Sequence, residues 1–275
     1  MRSKILKYTT MRGAFTKTVA LILCWKTVII LFSILATYAL PLKLRFTPQD
    51  VFKQGFPYLL WIWGNFDGDH YMQIARTGYN VAELPFFPLH PSTLKIMHSV
   101  GIPYLIGGII LCHIAFFTAI YFMYQLLKID RKQSLYYIML IIILSFPTSY
   151  SYGAVYNDSL FLCMATITLY LGRKKQWILA SIFGMLATYS RLNGLALFFY
   201  FIAEYALSVS PHYFTIRPFK KMVQDTVMVL NPKEAIMSGI VSILLIPLAY
   251  LSYLYYIQAV FGNWRLIYAA MYVWR

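Results

Sequence analysis

The sequence predicts an all-α polytopic membrane protein, a bundle of about seven transmembrane helices with a long first extracytoplasmic loop. Three observations predict it. Of the 275 residues 60% are hydrophobic and only 12% are Asp, Glu, Lys or Arg, about half the charged share of an ordinary soluble domain. The apolar residues come in long blocks: 19–40 carries one charge, Lys26, and 101–127 carries none. Roughly 20 such residues in a helix cross ~30 Å of hydrocarbon. The basic residues gather in short segments between apolar blocks, as they do in cytoplasmic loops.

The elements follow in chain order. Residues 1–17 hold Arg2, Lys4, Lys7, Arg12 and Lys17 without an acid. A first helix is expected at about 18–40. No small-x-small cleavage pattern follows it, so it reads as a retained helix rather than a removed signal. Residues 41–99, with Pro41, Pro48, Pro57, Pro85, Pro88 and Pro91, contain no clean span and are expected as the extracytoplasmic loop. A second helix fits 101–127. The apolar stretches 135–171 and 177–209 are too long for one helix each. They break at FPTSYSYG, between Pro147 and Gly153, and at SRLNG, around Arg191 and Gly194. Helices at about 135–149, 155–171, 177–190 and 194–209 result, and a last one at 236–259. Seven spans put 15 of the 24 basic residues on one side, which predicts a cytoplasmic N-terminus. The segments 41–99, 150–158 and 190–194 then fall on the opposite face. The membrane would be the plasma membrane in a prokaryote, or the endoplasmic reticulum in a eukaryote.

A net charge of +15 would suggest nucleic acid in a chain with a continuous basic surface. Short basic loops between apolar blocks do not provide one, so no nucleic-acid partner is expected. Cys24, Cys112 and Cys163 all lie within apolar blocks. They match neither a disulfide framework nor metal-ligand spacing.

Polar chemistry is densest in WIWGNFDGDHYMQIARTGY, residues 61–79. Asp67 and Asp69 precede His70 directly, with Arg76 and Glu83 nearby. Such an acid pair either binds a divalent cation or supplies one carboxylate as a base and another as its partner; a solvated turn has the same composition. A short helix over 70–79 would set the carboxylates at its positive end and keep them ionised. His90, in the proline-rich ELPFFPLHP, either contacts phosphate or caps a turn. Asn157 and Asp158 open an apolar helix, where they would cap free amides and also aim a carboxylate at the site. Arg191 interrupts two apolar helices, so an opposing carboxylate or a lipid phosphate must meet its charge. Lys26 is expected to snorkel to the surface at one end of the first helix, and Glu204 to be structural.

These residues carry a family resemblance. Phe66-Asp67-Gly68-x-His70-Tyr71-x-x-Ile74-Ala75-x-x-Gly78-Tyr79 resembles the first loop of the PIG-V family of mannosyltransferases, class C glycosyltransferases that include the enzyme adding the second mannose of the GPI anchor. Phe86-Phe87-Pro88-Leu89-His90-Pro91 is similar to its FFPLYP-like segment. Phe146-Pro147-Thr148-Ser149 with Tyr156-Asn157-Asp158-Ser159-Leu160-Phe161 resembles FPTS…Y-x-E-S-L-F, and Arg191-Leu192-Asn193-Gly194 resembles Arg-Ser-Asn-Gly. The chain departs from these patterns at His90, Asp158 and Leu192. It ends at Arg275, where that family continues, and so is expected as a fragment or a shortened member.

The resemblance implies a class C glycosyltransferase-like bundle. It also implies inverting transfer of mannose, or a similar hexose, from a polyprenyl-phosphate donor to a hydroxyl on a glycolipid or another acceptor, with the bilayer as a further partner. Asp67, Asp69, His70 and Arg191 would be catalytic: Asp67 as base, and Arg191 on the leaving phosphate, helped by His70 or His90. Arg76, His90, Asn157, Asp158 and Asn193 would bind substrate. No cofactor or metal is required, although Asp67 and Asp69 have the chemistry to hold a divalent cation. The alternatives are another sugar with a protein or cell-wall acceptor, a polyprenyl-lipid flippase, and a non-catalytic subunit.

Overall fold

The computed structural model describes residues 2–40, 55–209 and 241–273. Eleven α-helices are described. They are α1 (Arg2–Ala39), α2 (Tyr58–Trp61), α3 (Asp67–Thr77), α4 (Leu89–Ser99), α5 (Tyr104–Ile129), α6 (Tyr136–Ser145), α7 (Asp158–Arg173), α8 (Trp177–Ser190), α9 (Ala196–Val209), α10 (Val241–Phe261) and α11 (Leu266–Val273). Short 3-10 turns at Ile62–Gly64, Val81–Glu83, Ser149–Tyr152 and Leu192–Leu195 link several of them. Expectations for residues 41–54, for the loop basics Arg217, Lys220, Lys221 and Lys233, and for 236–240 lie outside the described residues.

The seven-span bundle is corrected. Among the described residues three helices are long and apolar enough to cross a membrane: Thr16–Ala39, Tyr104–Ile129 and Leu244–Phe261. The reason is length. Helices α6 to α9 run 10 to 16 residues, which at 1.5 Å per residue is roughly 15–24 Å, short of the ~30 Å needed. With no candidate span among the described residues between Ile129 and Leu244, the expected alternation of the basic turns at 128–132 and 173–175 with 150–158 and 190–194 has no spans to rest on. The multi-pass topology, the cytoplasmic N-terminus and the assignment to a plasma or reticulum membrane rested on that alternation and fall with it, as does the class C-like seven-helix architecture.

The long extracytoplasmic loop is corrected as well. From residue 55 onward it is folded into the body of the protein. Trp61, Tyr71, Ile74, Ala75 and Leu94 form one core with Leu105 of α5 and Val155. Proline spacing conceals this, because Pro57 and Pro88 stand at helix starts, where a missing N–H costs nothing. A second core joins α5, α7, α8, α9 and α10 through Ala119, Leu160, Ile167, Ala187, Phe201 and Ile246. Helix α7 lies between α5 and α8, and α10 packs on α8. At one end Arg173 bridges Asp130 (2.5 Å) and Glu204 (3.3 Å), tying α7 to α9 and to the end of α5.

Candidate functional site

Three segments distant in sequence meet around Val155. Its amide donates to the Trp63 carbonyl at 2.8 Å. A Cβ on Gly68 would sit 3.2 Å from the Val155 carbonyl oxygen, and one on Gly108 would sit 2.4 Å from Val155 Cγ1. The absence of side chains at 68 and 108 therefore lets α3 and α5 close on the turn that precedes α7. Directly before α3, Phe66 adopts φ 55°, a left-handed conformation that costs a non-glycine residue ~1–3 kcal/mol. It places Asp67 as the first residue of the helix.

The α7 and α8 ends are locked together. Asn157 donates through Nδ2 to the Ser190 carbonyl, and Ser190 Oγ donates back to Asn157 Oδ1 at 2.8 Å. Both side chains are buried. One residue on in each segment, Arg191 Nη1 donates to Asp158 Oδ1 in a partly exposed ion pair. Gly194 makes this turn feasible, since a Cβ there would lie 2.4 Å from the Thr188 nitrogen.

Asp67 sits within the field of this pair. Its proton affinity is raised above the ordinary carboxylate value, first by burial and then by the Asp158 charge, with His70 and Arg191 opposing. Desolvation thus acts on Asp67 in the direction opposite to the helix end, which favours the ionised form. His70 lies one turn along the same face of α3, at i+3. Tyr71, fully buried, contacts Phe86 at 5.2 Å, His90 at 4.5 Å and the Asn157 side chain, and burial pushes its phenol pKa upward.

The structure therefore gathers Asp67, His70, Asn157, Asp158 and Arg191. Asp69 is half-buried in the same first turn as Asp67, two residues on, a spacing that does not share one helix face. Arg76 and Asn193 are exposed. His90 is wholly buried, with Nε2 3.7 Å from Cys112 Sγ. Burial lowers its pKa to about 3, so it is neutral at physiological pH. Among the described residues no group of three or more His, Cys, Asp or Glu side chains is placed to hold a metal ion.

Three residues here escaped the sequence reading as site members. Tyr71 is the aromatic hub of the α3 face; its signal was its place beside His70. Glu83 is 2% exposed, with Oε1 3.6 Å from His70 Nδ1; its signal was an acid in an otherwise apolar, proline-flanked stretch. Lys26 turns inward instead of snorkelling, with Nζ 3.4 Å from the centroid of the Trp63 ring. Comparison with protein-family models, curated proteins and solved structures finds no match.

Proposed function

We propose that the chain transfers mannose, or a similar hexose, from a polyprenyl-phosphate-sugar donor to a hydroxyl group of a glycolipid or other acceptor. One observation carries the reading: a carboxylate of raised proton affinity, Asp67, shares a partly open site with the Arg191 guanidinium. The four sequence segments that resemble the mannosyltransferase family support it, because three of them supply Asp67, Asp158 and Arg191 to that site.

The chemistry is a single displacement. The acceptor oxygen bonds to the anomeric carbon as Asp67 takes its proton. The bond from that carbon to the phosphate oxygen breaks on the opposite side, and phosphate leaves with the electron pair. Arg191 exchanges Asp158 for the phosphate oxygens and stabilises the charge where it develops. Configuration at the anomeric carbon inverts. A base works best with a pKa nearer the operating pH, which is the direction in which burial moves Asp67.

The test measures donor binding and single-turnover transfer on the same folded preparations, with a radiolabelled polyprenyl-phosphate hexose. Asp67→Asn is expected to slow transfer ~10²–10⁴-fold with the donor still bound. Arg191→Lys keeps charge but loses the planar fork, so both affinity and rate should fall, and further in Arg191→Ala. Near-normal transfer by Asp67→Asn removes it as the base. Unchanged affinity and rate in Arg191→Ala reduces Arg191 to the structural partner of Asp158.

A further inference from the structure

Glu83 is the most buried carboxylate among the described residues. Its backbone is pinned from several sides. The Glu83 amide donates to Asn80 Oδ1 at 3.2 Å and its carbonyl accepts from the Phe86 amide at 2.9 Å. The next carbonyl, of Leu84, accepts from the Tyr253 hydroxyl at 2.8 Å. The side chain is held inward, with Oε2 buried and lacking a hydrogen-bond partner. A carboxylate in that setting is costly unless it meets a compensating group. The group it faces is the His70 imidazole, whose Nδ1 lies 3.6 Å from Oε1 and whose ring stacks on Phe86 at 4.9 Å and 29°.

We infer that Glu83 is a positioning residue for His70, holding Nδ1–H toward its carboxylate and leaving Nε2 to serve the Asp67–Arg191 site. At 3.6 Å the contact is electrostatic rather than a hydrogen bond, and such couples commonly tighten when a site fills. A carboxylate on one ring nitrogen fixes the tautomer and the orientation of the imidazole. Charged groups around His70 include Glu83 on the 81–83 turn and Asp67 and Asp69 on its own helix, with Asp158 and Arg191 coupled to Asp67 across the site. Resting on the proposed transfer reaction, the ring protonated on both nitrogens donates through Nε2–H to the leaving phosphate beside Arg191, while Nδ1–H stays toward Glu83. Its orientation by Glu83 does not depend on that reaction.

The experiment is nitrogen NMR of the histidine rings in the purified full chain, with His70 assigned by its loss in His70→Gln. In the parent protein the neutral ring is expected as the Nδ1–H tautomer; a dominant Nε2–H form overturns the proposal. Glu83→Gln keeps the volume but removes the charge, and should abolish the preference for the Nδ1–H tautomer. Glu83→Asp should restore most of that preference. An unmoved tautomer ratio in Glu83→Gln reduces Glu83 to a packing residue. Where the parent transfers sugar, Glu83→Gln should be ~10-fold slower with the donor still bound. A parent that shows the Glu83-dependent tautomer but transfers no sugar refutes the transferase reading alone.

Discussion

Burial and the Asp158 charge act in the same direction on Asp67, and His70 and Arg191 only partly offset them. A carboxyl group whose folded-state pKa is raised binds its proton more tightly in the native state than in the unfolded chain. Ionising it therefore costs stability. The sign is opposite to that of a salt-bridged surface acid. Below the ordinary carboxylate value, about 3.9, both states are protonated and the cost is absent. It grows as pH rises from there through the raised native value, and is constant above. Asp67→Asn lacks the ionisation, so it should melt higher than the parent at neutral pH, and the difference should vanish near pH 3. Thermal unfolding of both proteins across that range checks it. A constant difference, or one that shrinks as pH rises, would mean that Asp67 is better solvated than its surroundings imply. Loss of transfer with a gain in stability is the pattern expected of a group held for chemistry rather than for folding.

At the scale of elements, the position of α3 depends on two missing side chains. Gly108 lies inside α5, where alanine would ordinarily gain ~1 kcal/mol in helix propensity. Its Cβ would lie 2.4 Å from Val155 Cγ1, so overpacking of about 1–3 kcal/mol should win. Gly108→Ala is expected to be destabilising, and Val155→Ala destabilising through its cavity. The double variant should be less unstable than the two single losses summed, because each change accommodates the other. Chemical denaturation of the four proteins measures the coupling, and simple additivity would show that α5 and the 154–157 turn move apart freely. The breaks around these elements are legible in the sequence. Helix α6 ends at Ser145 shortly before Pro147, and α8 ends at Ser190 just before Arg191. The contact of Gly68 and Gly108 with Val155 is not legible, because no local pattern tells a glycine that admits a neighbour from one that merely turns. The inward path of Lys26 is hidden for a similar reason: a lysine in an apolar helix reads as surface-seeking until an aromatic face, here Trp63, comes within reach.

For the whole molecule, the sequence signalled helices, but hydropathy alone overcounted spans. An apolar helix packed among other helices shares the composition of one packed in lipid, and length is the criterion by which α6 to α9 fall short of a span. The stretch 55–99 was misread in the opposite sense, as its 11-residue helices α3 and α4 are interrupted by prolines and polar residues that mimic a loop. Its burial depends on partners far along the chain. The Tyr253 hydroxyl on α10 donates to the Leu84 carbonyl at 2.8 Å, and Leu84, Phe87, Ile257 and Ile267 form one core. The C-terminal helices thus clamp the turn that carries Glu83. Tyr253→Phe removes one buried hydrogen bond while keeping the ring, and should cost ~1–3 kcal/mol because the Leu84 carbonyl loses its partner. The loss should be local. Amides of residues 83–86 should exchange roughly 10-fold faster or more, a factor that corresponds to ~1.4 kcal/mol of opening free energy, while those in the centre of α7 stay protected. Tyr250→Phe is the control, since among the described residues its hydroxyl meets the exposed Tyr268 hydroxyl at 3.0 Å, and it should change neither. Equal exchange at 83–86 in the parent and Tyr253→Phe would show that aromatic packing alone seats the turn. Faster exchange accompanied by a changed His70 tautomer would place the C-terminal clamp, Glu83 and the α3 site on one mechanical path.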